Sequence, residues 1–150
     1  MSKVVTTADP PEEEFLFYSM SVYYTQNFKT KPSKTFLLSM NKLFTAHYHL
    51  RNEIKQHFND YFMKLFLDEK PVPIKGQYEV AYVYYYKNVK SDLLNVGSFV
   101  SKVLLDALQK AGIVEEDNVK FCVKETFLVG GKDKDNPRMD IYIRKYEDET

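Results

Sequence analysis

An α/β (α+β) domain, with a single mixed β-sheet packed with two main helices, is what the sequence predicts on three observations. Tyr78, Val80, Tyr82, Tyr84 and Tyr86 alternate with Glu79, Ala81, Val83 and Tyr85, which is the period of a strand. Leu43, Ala46, Leu50, Ile54, Phe58, Tyr61, Phe62, Leu65 and Phe66 recur at steps of mostly three and four, the spacing of one helix face. A second apolar stripe at helical spacing, from Leu93 to Leu108, separates the Tyr-rich strand from a further apolar run at Val119–Val129.

Taken in order, residues 1–14 are polar and acidic around Asp9-Pro10-Pro11 and are expected to be a flexible lead-in. Phe15 to Tyr24 is rich in aromatic and β-branched residues and reads as a strand. Lys29, Lys31, Pro32 and Ser33 mark a basic loop, and Thr35 to Leu38 a short strand. The first helix is expected over about Asn41–Leu67. Pro71 and Pro73 forbid its continuation, and Gly76 begins a turn. In Gln77–Tyr86 both registers are largely apolar, so a central strand covered on both faces is expected. Asp92 is a suitable N-cap for a helix over Asp92–Ala111, because its carboxylate accepts from the exposed N–H groups of the first turn. Gly112 suits the left-handed position after the helix end. Val119–Val129 is the next strand, Gly130–Pro137 a loop, and Arg138–Tyr146 is expected to close a hairpin with that strand. The domain is therefore drawn over 15–146, with 147–150 as an acidic tail.

The chain has 150 residues, enough for one domain that buries about two-thirds of its surface without a staple. Cys122 is the only cysteine, which excludes a disulfide framework and a cysteine-rich zinc site. No stretch reaches the roughly 18 apolar residues of a membrane span. Met1–Pro11 lacks the basic-then-apolar pattern of a signal peptide, so an intracellular protein is expected. The net charge is +0, yet residues 15–146 hold 20 basic against 14 acidic residues, a core of +6 that is compatible with nucleic-acid binding.

The chemistry-bearing stretch runs from Lys90-Ser91-Asp92-Leu93-Leu94-Asn95 through Lys102 to Leu108 and on to Glu115-Glu116-Asp117. Asp92 stands where the Tyr-rich strand hands over to a helix. Asn95, Lys102 and Asp106 follow at steps of seven and four, near one line on that helix. Asp117 stands in the turn before the next strand. If that strand pairs beside the Tyr-rich one, Asp92 and Asp117 are expected to converge at a shared edge of the sheet. Converging carboxylates suit Mg²⁺, which takes oxygen ligands in a near-octahedral shell and can activate water against a phosphodiester.

Roughly residues 78–146 resemble the RusA-type Holliday-junction resolvases, a family of metal-dependent endonucleases. The family signature is Asp-x-Asp-Asn at a helix start, a Lys in that helix, Asp-Ala-Leu, Ala-Gly and an acidic pair. Asp92, Asn95, Lys102, Asp106-Ala107-Leu108, Ala111-Gly112 and Glu116-Asp117 match these in order. Two departures stand out. The middle Asp is Leu94, and the Asn95-to-Lys102 spacing is four residues longer, close to one helical turn.

The resemblance implies that Asp92 and Asp117 hold Mg²⁺ (or Mn²⁺) and that Lys102 assists at the scissile phosphate; Asn95, Glu116 or Asp106 are the further oxygens available to offset the loss at Leu94. Catalysis would then rest on Asp92, Lys102 and Asp117. The resemblance also implies branched DNA as substrate, a homodimer spanning the junction, and a bacterial or phage-infected host. Phosphate contacts are expected from Lys29, Lys31, Lys34, Lys87, Lys90, Lys132, Lys134 and Arg138, which bracket the site in sequence and fix position without reading bases.

Each residue also has a plainer reading. Asp92 serves as a cap, Lys102 and Asp106 as solvated helix residues, and Glu115–Asp117 as an acidic turn. Because Leu94 cannot ligate a metal, a catalytically silent relative that binds branched DNA or a protein partner is the alternative. His47, His49 and His57 lack a carboxylate motif that would make them a metal site. The Tyr82–Tyr86 run suits core packing better than base stacking.

Overall fold

The computed structural model describes residues 15–147; the expected acidic lead-in, 1–14, and the last three residues of the expected tail lie outside them. The elements are β1 (Leu16–Ser21), β2 (Tyr23–Gln26), β3 (Lys34–Leu37), α1 (Met40–Thr45), α2 (Tyr48–Glu69), β4 (Tyr78–Tyr86), α3 (Leu93–Lys110), β5 (Cys122–Lys132) and β6 (Arg138–Lys145). The mixed α+β class is as expected. The main sheet has the order β1-β6-β4-β5, and β2 with β3 forms a separate two-stranded ribbon.

The Tyr-rich strand is central because its neighbours come from both sides. β6 pairs antiparallel with it on one side and β5 pairs parallel on the other. The parallel pair is made by α3, which carries the chain back along the sheet before β5 starts. β6 does not close a hairpin with β5. It passes to the far side of β4 and lies between β4 and β1, because β5 already occupies the near side.

Alternation decides the two faces. Tyr78, Val80, Tyr82 and Tyr84 are buried, as are Met139, Ile141 and Ile143 beside them and Tyr18 and Met20 beyond. These face the helices. Tyr18 meets Phe66 of α2 edge-on at 5.3 Å, and Phe127 of β5 stacks on Tyr82 at 4.7 Å. Phe127 lies directly under α3, where a Cβ on Gly97 would come within 2.5 Å of its ring, so a glycine there is what lets helix and strand approach. Burial and the adjacent Glu125 carboxylate hold the Tyr82 phenol well above its usual range, so it stays a neutral donor to Glu125.

The opposite face departs from the expectation of a sheet covered on both sides. Glu79, Ala81, Val83 and Tyr85 are half-buried, and the helices pack on the other side. Across the strands, one row of this face reads Phe17, Tyr142, Ala81, Thr126 and the next Ser19, Asp140, Val83, Leu128, while Ser21, Arg138, Tyr85 and Gly131 form the row nearest the carboxyl end of β4.

Two expected elements are split. The first strand breaks at Val22, where the chain leaves the main sheet for the ribbon. The first helix breaks at Ala46–His47, where Ala46 turns extended (ψ 148) and the His47 ring accepts from the His49 N–H at the start of α2. α2 ends at Lys70, which takes a left-handed conformation (φ 49) before Pro71. Gly112 takes the left-handed position after α3 (φ 75), as its type predicts. No helix among the described residues is long and apolar enough to cross a membrane.

Candidate nucleic-acid interface

The parallel pairing of β4 and β5 governs where every proposed ligand falls. Asp92 follows the carboxyl end of β4, whereas Asp117 precedes β5, whose first residues pair with Tyr78 at the amino end of β4. The 18 residues of α3 lie between the two ends, which corresponds to about 27 Å of helix. The expected convergence of Asp92 and Asp117 therefore does not occur within the chain. Two acids at the ends of a strand–helix–strand crossover meet only if the second strand runs back antiparallel, and here it runs parallel.

Each candidate has a local role where it stands. Asp92 caps α3, its Oδ1 accepting from the N–H groups of Leu94 at 3.1 Å and Asn95 at 3.3 Å. Asn95 accepts from the Asn41 N–H at 3.0 Å, which ties α1 to the start of α3. Leu94, in the place of the signature's middle Asp, is 62% exposed. At the other end, the Glu116 carboxylate accepts from Asn118 at 2.8 Å, and its backbone carbonyl accepts from the Tyr78 hydroxyl at 2.9 Å. Asp117 is exposed beside them. Lys102 sits between the ends, on a cavity of about 390 Å³ between α2 and α3 that it shares with Lys55, Asn59, Asp106 and Lys110. Among the described residues, no three His, Cys, Asp or Glu side chains gather as a metal-holding group.

The capping role is separable from a ligand role by substitution. Asp92→Ala should lower stability by about 1 kcal/mol, the usual worth of a lost N-cap, while Asp92→Ser should restore most of it. Chemical denaturation checks this. Equal losses for Ala and Ser would show that the carboxylate does something other than cap the helix.

The lysines behave differently from the acids, because the fold gathers most of them. Lys132 pairs in register with Tyr86, the residue before Lys87, and the Asp133 N–H donates to the Tyr86 carbonyl at 2.9 Å. Lys87 reaches over the Tyr23 ring of the ribbon at 5.7 Å. Lys90 lies in the turn ahead of Asp92, its N–H held by the Asn88 side chain. Lys134 lies in the connection after β5. All four are exposed, and among the described residues none makes an ion pair. The ribbon adds exposed Lys34 at the start of β3 and, in its turn, Lys29 and Lys31, the latter over the Phe28 ring at 4.7 Å. The basic end of the molecule is thus the carboxyl end of β4, flanked by the β2–β3 ribbon.

Arg138 is held in place by acids. Its guanidinium pairs with Asp133 at 2.7 Å and Asp140 at 3.1 Å, and it lies 4.1 Å over the Tyr85 ring. The hydrogen bond from Arg138 lowers the Asp133 carboxyl below its usual range. Lys42, near the start of α1, covers the Phe36 ring of the ribbon at 4.7 Å. The Ser39 side chain caps α1 by accepting from the Lys42 N–H at 3.1 Å.

The three histidines are exposed and make ring contacts. His47 stacks on His49 at 5.1 Å, and His57 meets Tyr24 edge-on at 5.2 Å. Burial pushes the Cys122 thiol up to about 11, which suits an unreactive packing residue. No family model and no curated protein matches this sequence.

Proposed function

We propose that this chain is a RusA-like nucleic-acid-binding protein that grips the phosphate backbone of branched DNA at its basic end and does not assemble a hydrolytic centre from Asp92 and Asp117. The observation that supports this reading is the meeting of Lys87 and Lys90, from the β4–α3 connection, with Lys132 at the end of β5 and Lys134 in the turn after it, at the carboxyl end of β4. Exposed lysines grouped on one end attract a polyanion and release its counterions on contact. A homodimer would offer two such ends to the arms of a junction, in keeping with the symmetry of both partners.

The endonuclease form of the reading, with Mg²⁺ or Mn²⁺ between Asp92 and Asp117, lacks its geometric premise. About 27 Å of helix separates two groups that must both lie within about 2.1 Å of one ion. Glu116 stands with Asp117 and Asn95 with Asp92, so neither bridges the gap.

A labelled synthetic four-way junction tests the two forms together. Binding that persists in chelator, with no nicks in Mg²⁺ or Mn²⁺, is the expected result. Metal-dependent paired nicks that vanish in Asp117→Asn would overturn the silent form and reinstate the enzyme. Failure to bind any DNA at low salt would overturn both.

A further inference from the structure

The cavity of about 390 Å³ between α2 and α3 is lined by charges that the fold leaves unbalanced. Lys102, Asp106 and Lys110 line it from α3 at steps of four, in one line on that helix. Asn52, Lys55, Gln56 and Asn59 line it from α2 at spacings of three and four, one face of that helix. Residues spaced like Lys102, Asp106 and Lys110 commonly neutralise one another as helix ion pairs. Here, among the described residues, neither Asp106 nor any of the three lysines makes an ion pair. Three lysines against one aspartate leave the lining at +2. A cleft lined mainly by one sign of charge draws in the opposite ion.

A second observation concerns the amides. The Asn59 Oδ1 is buried and has no hydrogen-bond partner among the described residues. An orphaned acceptor of this kind asks for a donor. Gln56 donates through its Nε2 to Asp60 at 2.8 Å, which leaves its own carbonyl oxygen to accept. Val103 is the one apolar side chain among the described residues that line the cavity, and no aromatic ring lines it. A nucleobase or an apolar body would find little to pack on.

We propose that this cleft binds a small polyhydroxylated phosphate monoester, a sugar phosphate in chemical class, with its phosphate on Lys55, Lys102 and Lys110 and its hydroxyls on the amides of α2. A monoester carries close to two negative charges at neutral pH, which matches the lining. Its hydroxyls donate, as Asn59 requires. The volume falls in the range of small-molecule sites. A DNA backbone carries one charge per phosphate and no hydroxyl, so it meets only half of these demands. The cleft is also set apart from the basic end. Lys102 and Lys110 lie nine and seventeen residues past Leu93, the first residue of α3, or about 13–26 Å along the helix. The proposal therefore stands independently of the nucleic-acid reading.

The test is calorimetric titration of the full chain with glucose 6-phosphate, ribose 5-phosphate, inorganic phosphate and glucose, in about 0.1 M salt. At least one of the two sugar phosphates should bind with a Kd of about 0.3 mM or below, as expected for a ligand of that size. It should bind about tenfold more tightly than inorganic phosphate, through the hydroxyls, and glucose should not bind. Lys55→Gln and Lys110→Gln should each weaken the sugar phosphate about fivefold. Asp106→Asn should tighten it by a similar factor, a gain that misfolding cannot mimic. Asn59→Leu should leave inorganic phosphate unchanged and abolish the preference for the sugar ester. If neither sugar phosphate outbinds inorganic phosphate, the proposal fails, and it fails equally if Asp106→Asn leaves affinity unchanged. A DNA duplex distinguishes the other source of a phosphate. Should the duplex displace the sugar phosphate and itself lose about fivefold in Lys55→Gln, the cleft holds a nucleic-acid backbone and the small-ligand proposal is refuted. Replacing Lys87, Lys90, Lys132 and Lys134 should change sugar-phosphate affinity by less than about twofold, because those charges lie beyond the screening length. A failure here and a failure of DNA binding are thereby told apart.

Discussion

Changing Lys87, Lys90, Lys132 and Lys134 together to Glu is expected to reduce affinity for a DNA duplex by at least a hundredfold near 0.1 M salt. Four lysines that each neutralise one phosphate give the parent a log–log salt slope of about −3.6 on duplex DNA, and about −2.8 on a single strand. Raising salt from 50 to 200 mM should therefore weaken duplex binding by roughly 150-fold. The quadruple variant should show a slope close to zero, because its phosphate contacts have become repulsions. Stability should change little. All four side chains are exposed, and among the described residues none pairs with an acid; the Lys87–Tyr23 contact is worth about 0.5–1 kcal/mol at such a site. Fluorescence titration at four salt concentrations measures the slope. A parent slope shallower than about −1 would mean that these lysines do not meet phosphates at all.

The second large effect is on the fold. Phe99 lies on α3 with 1% of its surface exposed and meets the Phe58 ring of α2 edge-on at 6.1 Å. This contact packs α3 against α2 in the core above the sheet. Phe99→Ala should cost about 3–5 kcal/mol through lost burial and the cavity left behind. For a chain of this length that corresponds to a fall of about 10 °C or more in Tm. Urea denaturation should show a lower midpoint at unchanged slope, the signature of a stability change without a change in the surface exposed on unfolding. A loss below about 1 kcal/mol would contradict the described contact between α2 and α3.

The two long helices and the central strand were legible because each carries a period that repeats over many residues. Asp92 as a cap and Gly112 after the helix end were legible for a different reason: each residue type meets one local backbone demand. What was not legible depends on direction. Nothing local in Cys122–Lys132 tells whether that strand runs with or against β4, and that choice alone separates Asp92 from Asp117. The same ambiguity made Arg138–Lys145 look like the second arm of a hairpin, when it pairs with β4 and β1. The open sheet face was missed because Ala81, Val83 and Tyr85 read as apolar whether a helix or solvent lies over them. The break at Ala46–His47 was hidden because Leu43, Ala46 and Leu50 keep helical spacing straight through it. The grouping of Lys87, Lys90, Lys132 and Lys134 was foreseeable in outline, since connections that follow neighbouring parallel strands emerge at the same end of a sheet.

β5 forms one margin of the main sheet and leaves its outer row of amides and carbonyls unpaired by any other strand among the described residues. An 11-residue strand bearing exposed Leu128 and Val129 is the kind of template on which identical chains add to one another without limit. Two irregularities oppose this. Its register against β4 slips once next to Val123 and again at Gly130, and such bulges bend and twist a strand so that a straight copy cannot lie along it. Lys124 and Lys132 add like charges at either end of the stretch between them. Straightening the strand by deleting Gly130 would remove one of these guards, so long-term storage of such a chain at high concentration would favour fibrils over the dissolved protein.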